Sequence, residues 1–294
     1  MSFISLNFVV LFACTFILYH TLPSRFRKAT LLTASCLFIG FYHLAFLITA
    51  LILTLTTFYL GKWIGQAKRE SGMKGIYFSG VCFLVVSWLA FRYADRLTNC
   101  HILFPLGISF YTFQAISYLT EIYWQEEEPE KSLPDFMIYM LFFMKFLSGP
   151  IERASDMLPQ LKSCKATDYT SMVYGMRLIV VGLIKKLILA DSIAPYIDGV
   201  FGSVYTASGV QLLMACLLYP IELYADFSGY TDIALGGARM LGFKLSPNFN
   251  RPFIAQTTAD FWRRWHMSLS FWVATICTSR CPRTCVDGDN GAYF

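Results

Sequence analysis

Residues 44–61 read LAFLITALILTLTTFYLG, a stretch without one charged side chain. An apolar run of about 18 residues is long enough to cross the hydrocarbon core of a bilayer as an α-helix. Runs of the same kind occur at residues 6–20, LNFVVLFACTFILYH, and at residues 75–91, GIYFSGVCFLVVSWLAF. Several such runs in series predict an all-α, polytopic transmembrane protein.

The composition agrees with a membrane protein. Of the 294 residues, 56% are hydrophobic and 15% are charged, whereas soluble domains carry about 25% charged residues. The apolar runs predict spans at 4–21, 29–47, 46–63, 75–92, 102–120, 136–149, 174–190 and 209–225. Because the second and third spans abut, they form either a tight hairpin or a partly re-entrant pair.

The placement of positive charge predicts an orientation. The chain has a net charge of +5, and basic residues follow the first and third apolar runs: Arg25, Arg27, Lys28, Lys62, Lys68, Arg69 and Lys74. Short basic loops stay in the cytoplasm, so we expect a multi-pass protein with an extracytoplasmic N-terminus. These charges flank spans rather than form one stripe, which argues against a nucleic-acid partner.

The first polar segment is FPLGISFYTFQAISYLTEIYW, residues 104–124. Gln114, Ser117 and Glu121 lie at positions i, i+3 and i+7, so they share one helix face. Polar side chains on one face of a membrane helix point into a bundle or a cavity. The alternative is ordinary hydrogen bonding between helices.

The second polar segment is FLSGPIERASDMLPQL, residues 146–161. Glu152 and Asp156 lie four residues apart, and like charges at that helical spacing repel. We therefore expect them to be divided between basic partners. The alternative is an interfacial turn that anchors the chain at the lipid headgroups.

After Leu223 the sequence becomes only semi-apolar and carries Asp226, Asp232 and Arg239. Such a segment is tolerated at membrane depth only when it is buried in protein or lines a wet cavity. One interpretation is a transporter or flippase in which Glu222, Asp226 and Asp232 relay ions. Another is a scaffold protein of a polysaccharide export complex.

The third polar segment, TTADFWRRWHMSLSFW at residues 257–272, contains a histidine with acid–base potential. Thr257 or Thr258 can cap a helix on which Trp262 lies four residues before His266. A neutral imidazole is well suited to accept a proton from a hydroxyl. A neighbouring arginine is expected to lower the pKa of His266 and keep its ring neutral. The alternative is an aromatic and basic belt at the membrane interface.

Four segments together resemble the membrane-bound O-acyltransferase family, in particular its bacterial branch of alginate O-acetylation and teichoic acid D-alanyl transfer. They are PLGISFYTFQAISYLTEIY (105–123), SGPIERASDMLPQL (148–161), YADFSGYTDIALGGARMLGFKLSPNFNRPF (224–253) and DFWRRWHMSLSFW (260–272). They follow the family's order and spacing. The resemblance covers nearly all of the chain through Trp272.

This resemblance implies a helical membrane core pierced by a tunnel, in a bacterial inner-membrane enzyme. It would move an acyl group, in particular acetyl, from a thioester donor (acyl-CoA or an acyl carrier protein) to a hydroxyl of an extracytoplasmic polysaccharide. His266 matches the active-site histidine of the family's W-H-M-S-L-S segment. Residues expected to support the site or line the tunnel are Asn248, Asn250, Arg251, Asp260, Arg263, Gln114, Ser117, Tyr230 and Asp232.

The expected partners are membrane lipid, the polysaccharide acceptor, an acyl carrier and periplasmic or extracellular acetylation proteins. No bound cofactor and no metal are expected, since the sequence contains no P-loop, no G-x-G-x-x-G after a strand and no H-E-x-x-H. The family's second histidine lies in a W-H-G motif on a later helix. His20, His43 and His101 all precede the motif block, so none of them matches it.

The sequence after Trp272 departs from the family, which continues with W-[LV]-R-D-Y-L-Y-I-P-L. Back-translating VATICTSRC and reading it two bases later permits Arg, Asp, Tyr, Met or Leu, Tyr, Ile, Pro and Leu. This predicts a frameshift at Val273. Residues 1–272 would then form an incomplete domain that lacks the C-terminal helices of the family, and 273–294 an out-of-frame tail. We expect such a truncated chain to be inactive.

The alternative for the tail is a metal site or a disulfide framework built on Cys277, Cys281 and Cys285. Structural zinc sites use two pairs of ligands, and a disulfide framework uses an even number of cysteines. Three thiols fit neither pattern well.

Overall fold

A computed structural model describes residues 5–98, 104–105, 107–164 and 167–277. This part of the chain is helical and contains no β-strand, which confirms the predicted all-α fold. The helices are α1 (Leu6–Thr21), α2 (Ser24–Tyr42), α3 (Leu44–Gln66), α4 (Glu70–Thr98), α5 (Ile108–Tyr123), α6 (Leu133–Leu141), α7 (Ala154–Ser163), α8 (Tyr169–Leu183), α9 (Asp191–Gly202), α10 (Gly209–Met240), α11 (Thr258–Arg264) and α12 (Met267–Trp272). Short π-helical segments lie at Ile184–Ala190 and Val273–Cys277, and a 3-10 turn at Pro252–Ile254.

Three of the described helices are long and apolar enough to cross a membrane: Leu44–Gln66, Glu70–Tyr93 and Gly209–Met240. Large apolar side chains are exposed on the outer faces of the bundle, among them Val10, Ile17, Ile188, Leu213 and Leu217. Lipid tails solvate such faces as readily as another apolar side chain would. The fold is therefore that of a membrane protein.

A tight hairpin joins α2 to α3. His43 alone separates the two helices and has an extended backbone, with φ −167° and ψ 136°. Its Nδ1 accepts a hydrogen bond from the Ala45 backbone N–H at 3.2 Å and so caps α3. Of the two arrangements expected for these abutting spans, the structure has the hairpin.

Helix α5 lies at the centre of the bundle, in contact with α3, α4 and α6. Nearly every side chain from Ile108 to Ile122 is buried. Aromatic rings pack it against α6, where the ring centroids of Tyr118 and Phe136 are 4.6 Å apart. The polar side chains of α5 are thus inside the protein and need internal partners.

The predicted span at 136–149 is wrong in extent, since α6 ends at Leu141 and a series of turns follows. The Phe143 backbone N–H donates to Ser35 Oγ of α2 at 3.2 Å, and the Lys145 ammonium donates to Gln114 Oε1 of α5. The Ser35 hydroxyl thus satisfies a backbone N–H that a continuous helix would satisfy itself, and Gln114 satisfies the buried side chain of Lys145. Irregular backbone at membrane depth is tolerated when it is buried in protein in this way.

Helix α10 extends further than the predicted span at 209–225, because the polar segment after Leu223 is helical through Met240. Two of its acids are paired with lysines of the neighbouring π-helical segment. Lys186 Nζ lies 2.6 Å from Asp226 Oδ1, and Lys185 Nζ lies 2.6 Å from Asp232 Oδ2. These ion pairs give both aspartates a structural role that needs no ion relay.

Candidate active site around His266

His266 lies at a sharp corner between two short helices. Helix α11 ends at Arg264, and Trp265 is extended with φ −101° and ψ 127°. His266 itself has the left-handed values φ 42° and ψ 54°, and α12 begins at Met267. We call residues 264–268 the His266 corner.

The imidazole of His266 lies between two phenyl rings. Its centroid is 4.9 Å from that of Phe227 on α10, edge to face, and 6.3 Å from that of Phe110 on α5, nearly parallel. Within the described part of the chain, its buried Nδ1 has no hydrogen-bond partner. This ring nitrogen therefore has no internal hydrogen bond to break before it accepts a proton.

Burial lowers the pKa of His266 from its ordinary 6.5 to about 4. The residue lies between α11 and α12, outside the three candidate membrane spans. The expected direction is confirmed, but the expected cause is wrong, because loss of solvent and not an arginine charge lowers this pKa. At neutral pH the ring is uncharged and can accept a proton.

The expected pairing of Trp262 with His266 is wrong. The helical spacing of four residues does not apply, because α11 ends at Arg264 before it reaches the histidine. Trp262 is exposed. Trp265 stacks on Phe261 instead, with ring centroids 5.5 Å apart.

Two asparagines expected near the site are at the His266 corner. The Met267 backbone N–H donates to the Asn248 carbonyl at 2.8 Å, and the Asn250 backbone N–H donates to the Arg264 carbonyl at 2.9 Å. These bonds lie on either side of His266 and tie the corner to residues 248–250. Asn248 is buried, which the sequence NFNRPF does not reveal.

The charged residues predicted around His266 are more peripheral. Asp260 Oδ1 accepts from Arg264 Nε at 2.8 Å, as their spacing of four residues suggests. Thr257, rather than Thr258, caps α11 by accepting the Asp260 backbone N–H at 3.1 Å. Arg251 and Arg263 are exposed.

The four predicted tunnel residues have partners or neighbours within the bundle. Gln114 accepts from Lys145 and donates to the Tyr139 carbonyl at 2.9 Å. Ser117 donates to the Phe113 carbonyl of its own helix at 3.1 Å. Asp232 is paired with Lys185, and Tyr230 packs against the core. The structure thus gives Gln114 the interhelical hydrogen bonding that was the alternative to a cavity face.

The interfacial turn considered as the alternative for Glu152 is wrong, whereas its expected basic partner is present, because Glu152 interacts electrostatically with the buried Lys145. Glu152 is buried rather than interfacial, and its carboxylate accepts from the backbone N–H and the hydroxyl of Ser246. Its neighbour Arg153 pairs with Glu121 of α5 at 3.3 Å and lies over the Phe271 ring of α12 at 4.5 Å. These contacts of Glu152 and Arg153 could not be predicted from the sequence. The burial of the residues that follow Gly149 and Pro150 depends on contacts with segments that are distant in the chain.

The sequence model of the MBOAT, membrane-bound O-acyltransferase, family matches residues 129–275. This range contains the His266 corner, Glu152 and Arg153, together with α10. The match thus includes the elements around the histidine other than Phe110 of α5.

Three relatives show how far the similarity extends. The probable alginate O-acetylase AlgI of Azotobacter vinelandii is 35% identical over 292 residues, covering 93% of this chain and 58% of the relative. The peptidoglycan O-acetyltransferase of Helicobacter pylori is 30% identical, covering 83% and 54%. The teichoic acid D-alanyltransferase of Bacillus subtilis is 33% identical, covering 57% and 43%. The chain thus spans less than two thirds of the length of these relatives, and it belongs to the membrane-bound O-acyltransferase family.

Proposed function

We propose that the protein is a membrane-bound O-acyltransferase that moves an acyl group, acetyl in the first instance, to a hydroxyl of an extracytoplasmic polysaccharide. The donor is a thioester, either acyl-CoA or an acyl carrier protein. The names of the relatives, which include an alginate O-acetylase and a peptidoglycan O-acetyltransferase, support a polysaccharide acceptor. The teichoic acid D-alanyltransferase supports the wider chemistry of acyl transfer.

The observation that carries this proposal is the neutral His266 ring between Phe110 and Phe227, with one nitrogen unpartnered. That nitrogen takes the proton of the acceptor hydroxyl, whose oxygen then attacks the thioester carbonyl carbon. The carbon–sulfur bond breaks, and the departing thiolate takes the proton from the imidazolium. The products are an ester and a free thiol.

The resemblance to the family is the basis on which residues near His266 are assigned to the acceptor and donor sites. We assign Asn248, Asn250 and Asp260 to the support of the His266 corner. Arg251 and Arg263 are exposed and basic, which suits anionic groups of a donor or a polysaccharide. We also propose that the protein resides in a bacterial inner membrane with an extracytoplasmic N-terminus, where periplasmic or extracellular acetylation proteins can meet it.

Transfer of label from radioactive acetyl-CoA to a soluble polysaccharide tests the function, with the protein that is read in the restored frame after Trp272 placed in proteoliposomes. His266→Ala should lower the rate by about 10²–10⁴-fold, the usual contribution of a general base. His43→Asn is the matched control, since it removes a histidine while asparagine can still cap α3. Transfer that continues unchanged in His266→Ala would overturn the role of this residue.

The predicted frameshift at Val273 stays a prediction, and residues 278–294, including Cys281 and Cys285, lie outside the described residues. The DNA after the Trp272 codon tests it directly. An open alternative frame that encodes a second Trp-His motif is the expected result. The acetyl-transfer assay on the 294-residue chain, beside the protein read in that frame, would show whether the frameshift removes the activity.

A further inference from the structure

The His266 corner contacts two other segments of the chain. These are residues 151–153 before α7 and residues 246–250 after α10, so three segments meet at this place. We name the hydrogen bonds that join them the corner clamp. The two backbone bonds between Asn248 and Met267 and between Asn250 and Arg264 form one side of this clamp.

A single hydroxyl connects all three segments. Ser268 Oγ donates to Asn248 Oδ1 at 2.6 Å and accepts from the Ile151 backbone N–H at 3.1 Å. Ser268 and Asn248 are both buried, so water does not replace these bonds readily. Loss of this hydroxyl would leave a buried N–H donor and a buried amide oxygen without their partner.

Glu152 forms the other side of the clamp. It is only 1% exposed, and its carboxylate accepts from both the backbone N–H and the hydroxyl of Ser246. The Glu152 carbonyl in turn accepts from the Tyr139 hydroxyl at 3.1 Å. This carboxylate therefore holds the start of the 246–250 segment against a fixed part of the core.

The conformation of His266 needs such a clamp. A residue other than glycine rarely adopts φ 42°, and the strain persists only where the surroundings enforce it. The adjacent helix α11 has only seven residues, too few to hold the corner by itself. The clamp bonds, together with the ring contacts of Phe110 and Phe227, fix residues 264–268 relative to the bundle.

We propose that Glu152 and Ser268 are positioning residues for His266, acting through Ser246 and Asn248 without contacting either substrate. They keep the imidazole between Phe110 and Phe227, sheltered and uncharged. This inference rests on the proposed function in so far as His266 is the reacting base. The position of the ring can nevertheless be measured without any turnover.

The test is the rate at which diethyl pyrocarbonate modifies each histidine of the full 294-residue chain in lipid nanodiscs, followed by peptide mass spectrometry. Ser268→Ala and Glu152→Ala should each raise the rate at His266 about tenfold, since local opening becomes easier when buried hydrogen bonds are lost. Glu152→Gln should remain near the wild-type rate, because its amide can still accept from one Ser246 group and donate to the other.

His20 is the internal reference, because its ring bonds to the Met240 carbonyl at the end of α10 and to no residue of the clamp. Its rate should not change in any of these variants. Glu70→Gln, the same chemical change in an exposed ion pair, should leave both histidines unaffected. Equal rises at His20 and His266, or no rise at His266 in the two alanine variants, would overturn the proposal.

The acetyl-transfer assay separates this proposal from the function itself. Glu152→Ala should lower kcat more than it raises KM, with restoration by Glu152→Gln, because the base is displaced while the substrate sites persist. If His266→Ala leaves transfer intact, the proposed base is wrong whatever the modification rates show. If His266→Ala abolishes transfer but the modification rates do not move, only the clamp is wrong.

Discussion

At the His266 corner, hydrogen bonds of buried side chains hold together segments that are distant in sequence. At the contact between α8 and α10, by contrast, two helices lie close together because the glycines there have no side chain. Gly182 and Gly229 face each other there, and a Cβ built on Gly182 would lie 2.6 Å from the Gly229 carbonyl oxygen. Gly175 and Gly236, each seven residues from a glycine of the first pair, repeat the arrangement. A Cβ built on Gly175 would lie 2.7 Å from the Gly236 carbonyl oxygen. We call these two glycine pairs the α8–α10 joint.

The difference shows that the two regions resist change in different ways. The joint is a backbone contact between two apolar helices, of the small-residue kind typical of membrane proteins. The corner depends on acceptors and donors that are costly to leave unpaired once they are buried. Substitutions that remove hydrogen-bonding groups should therefore destabilise the corner, and substitutions that add a side chain should destabilise the joint.

The largest effect is expected from Arg153→Ala, in the segment 151–153 that packs against the His266 corner. Arg153 pairs with Glu121 at 3.3 Å, and both side chains are less than 10% exposed. Removal of one partner of a buried ion pair costs about 3–5 kcal/mol, because the other charge remains buried. Thermal unfolding of the detergent-solubilised chain measures this loss as a large drop in melting temperature.

Two variants serve as controls for Arg153→Ala. Arg263→Ala removes an exposed arginine and should change the melting temperature little. The double variant Arg153→Met with Glu121→Leu should recover much of the stability, because neither charge is then left buried. A single variant as stable as the wild type would show that this pair does not support the corner.

The next largest effect is expected at the joint from Gly229→Ala. Its new methyl group would lie 2.8 Å from the Gly182 carbonyl oxygen, so α8 and α10 must separate. Overpacking of this kind costs about 1–3 kcal/mol. Gly199→Ala in α9 is the matched control, because nothing lies within 4 Å of its added methyl group.

The joint and its control should differ in sign. Alanine in an open helix interior is favoured over glycine by about 0.5–1 kcal/mol, so Gly199→Ala should be neutral or slightly stabilising. Melting temperatures of the two variants provide the comparison. Equal melting temperatures for Gly229→Ala and Gly199→Ala would mean that the helices do not touch through their glycines.

A smaller, pH-dependent effect is expected at the corner. The pKa of His266 is about 4 in the folded chain and returns to about 6.5 on unfolding, so the unfolded chain binds more protons between these values. Stability is therefore fully present above pH 6.5 and falls as the pH decreases toward 4. The loss at pH 5 is at most on the order of 2 kcal/mol.

Melting curves of the wild type and of His266→Gln at pH 7.5 and pH 5 measure this contribution. Glutamine does not titrate, so the variant should lose less stability on acidification than the wild type does. Identical pH dependence in the two proteins would show that the ring is solvated in the folded state.

The sequence predicted the helices well where a local property determines them. An apolar run of membrane length specifies a helix by itself, so the runs that became α1 to α4 were recognisable. The end of α6 at Leu141 could not be predicted, because it depends on Ser35 of α2 and Gln114 of α5. Such partners are distant in sequence and leave no periodic signal.

The candidate site shows the same limit. His266 could be selected from its chemistry and its motif, since imidazole between arginines and indoles is distinctive. Its left-handed backbone and its phenyl neighbours could not, because Asn248, Ser268 and Phe227 come together only in the folded bundle. The wrong expectation for Trp262 has this origin, as it assumed one continuous helix through His266.

The smallest effect is expected from Lys186→Met beside the joint. Lys186 pairs with Asp191 at 2.7 Å and with Asp226 at 2.6 Å, and the three side chains are 30–44% exposed. Charged groups in a membrane helix face a wet cavity or protein rather than lipid, so water can solvate both acids after the change. Because water screens exposed ion pairs, the loss should be about 0–1 kcal/mol, measured by thermal unfolding beside Arg153→Ala. A loss as large as that of Arg153→Ala would place these aspartates in a dry setting and remove the contrast between the two regions.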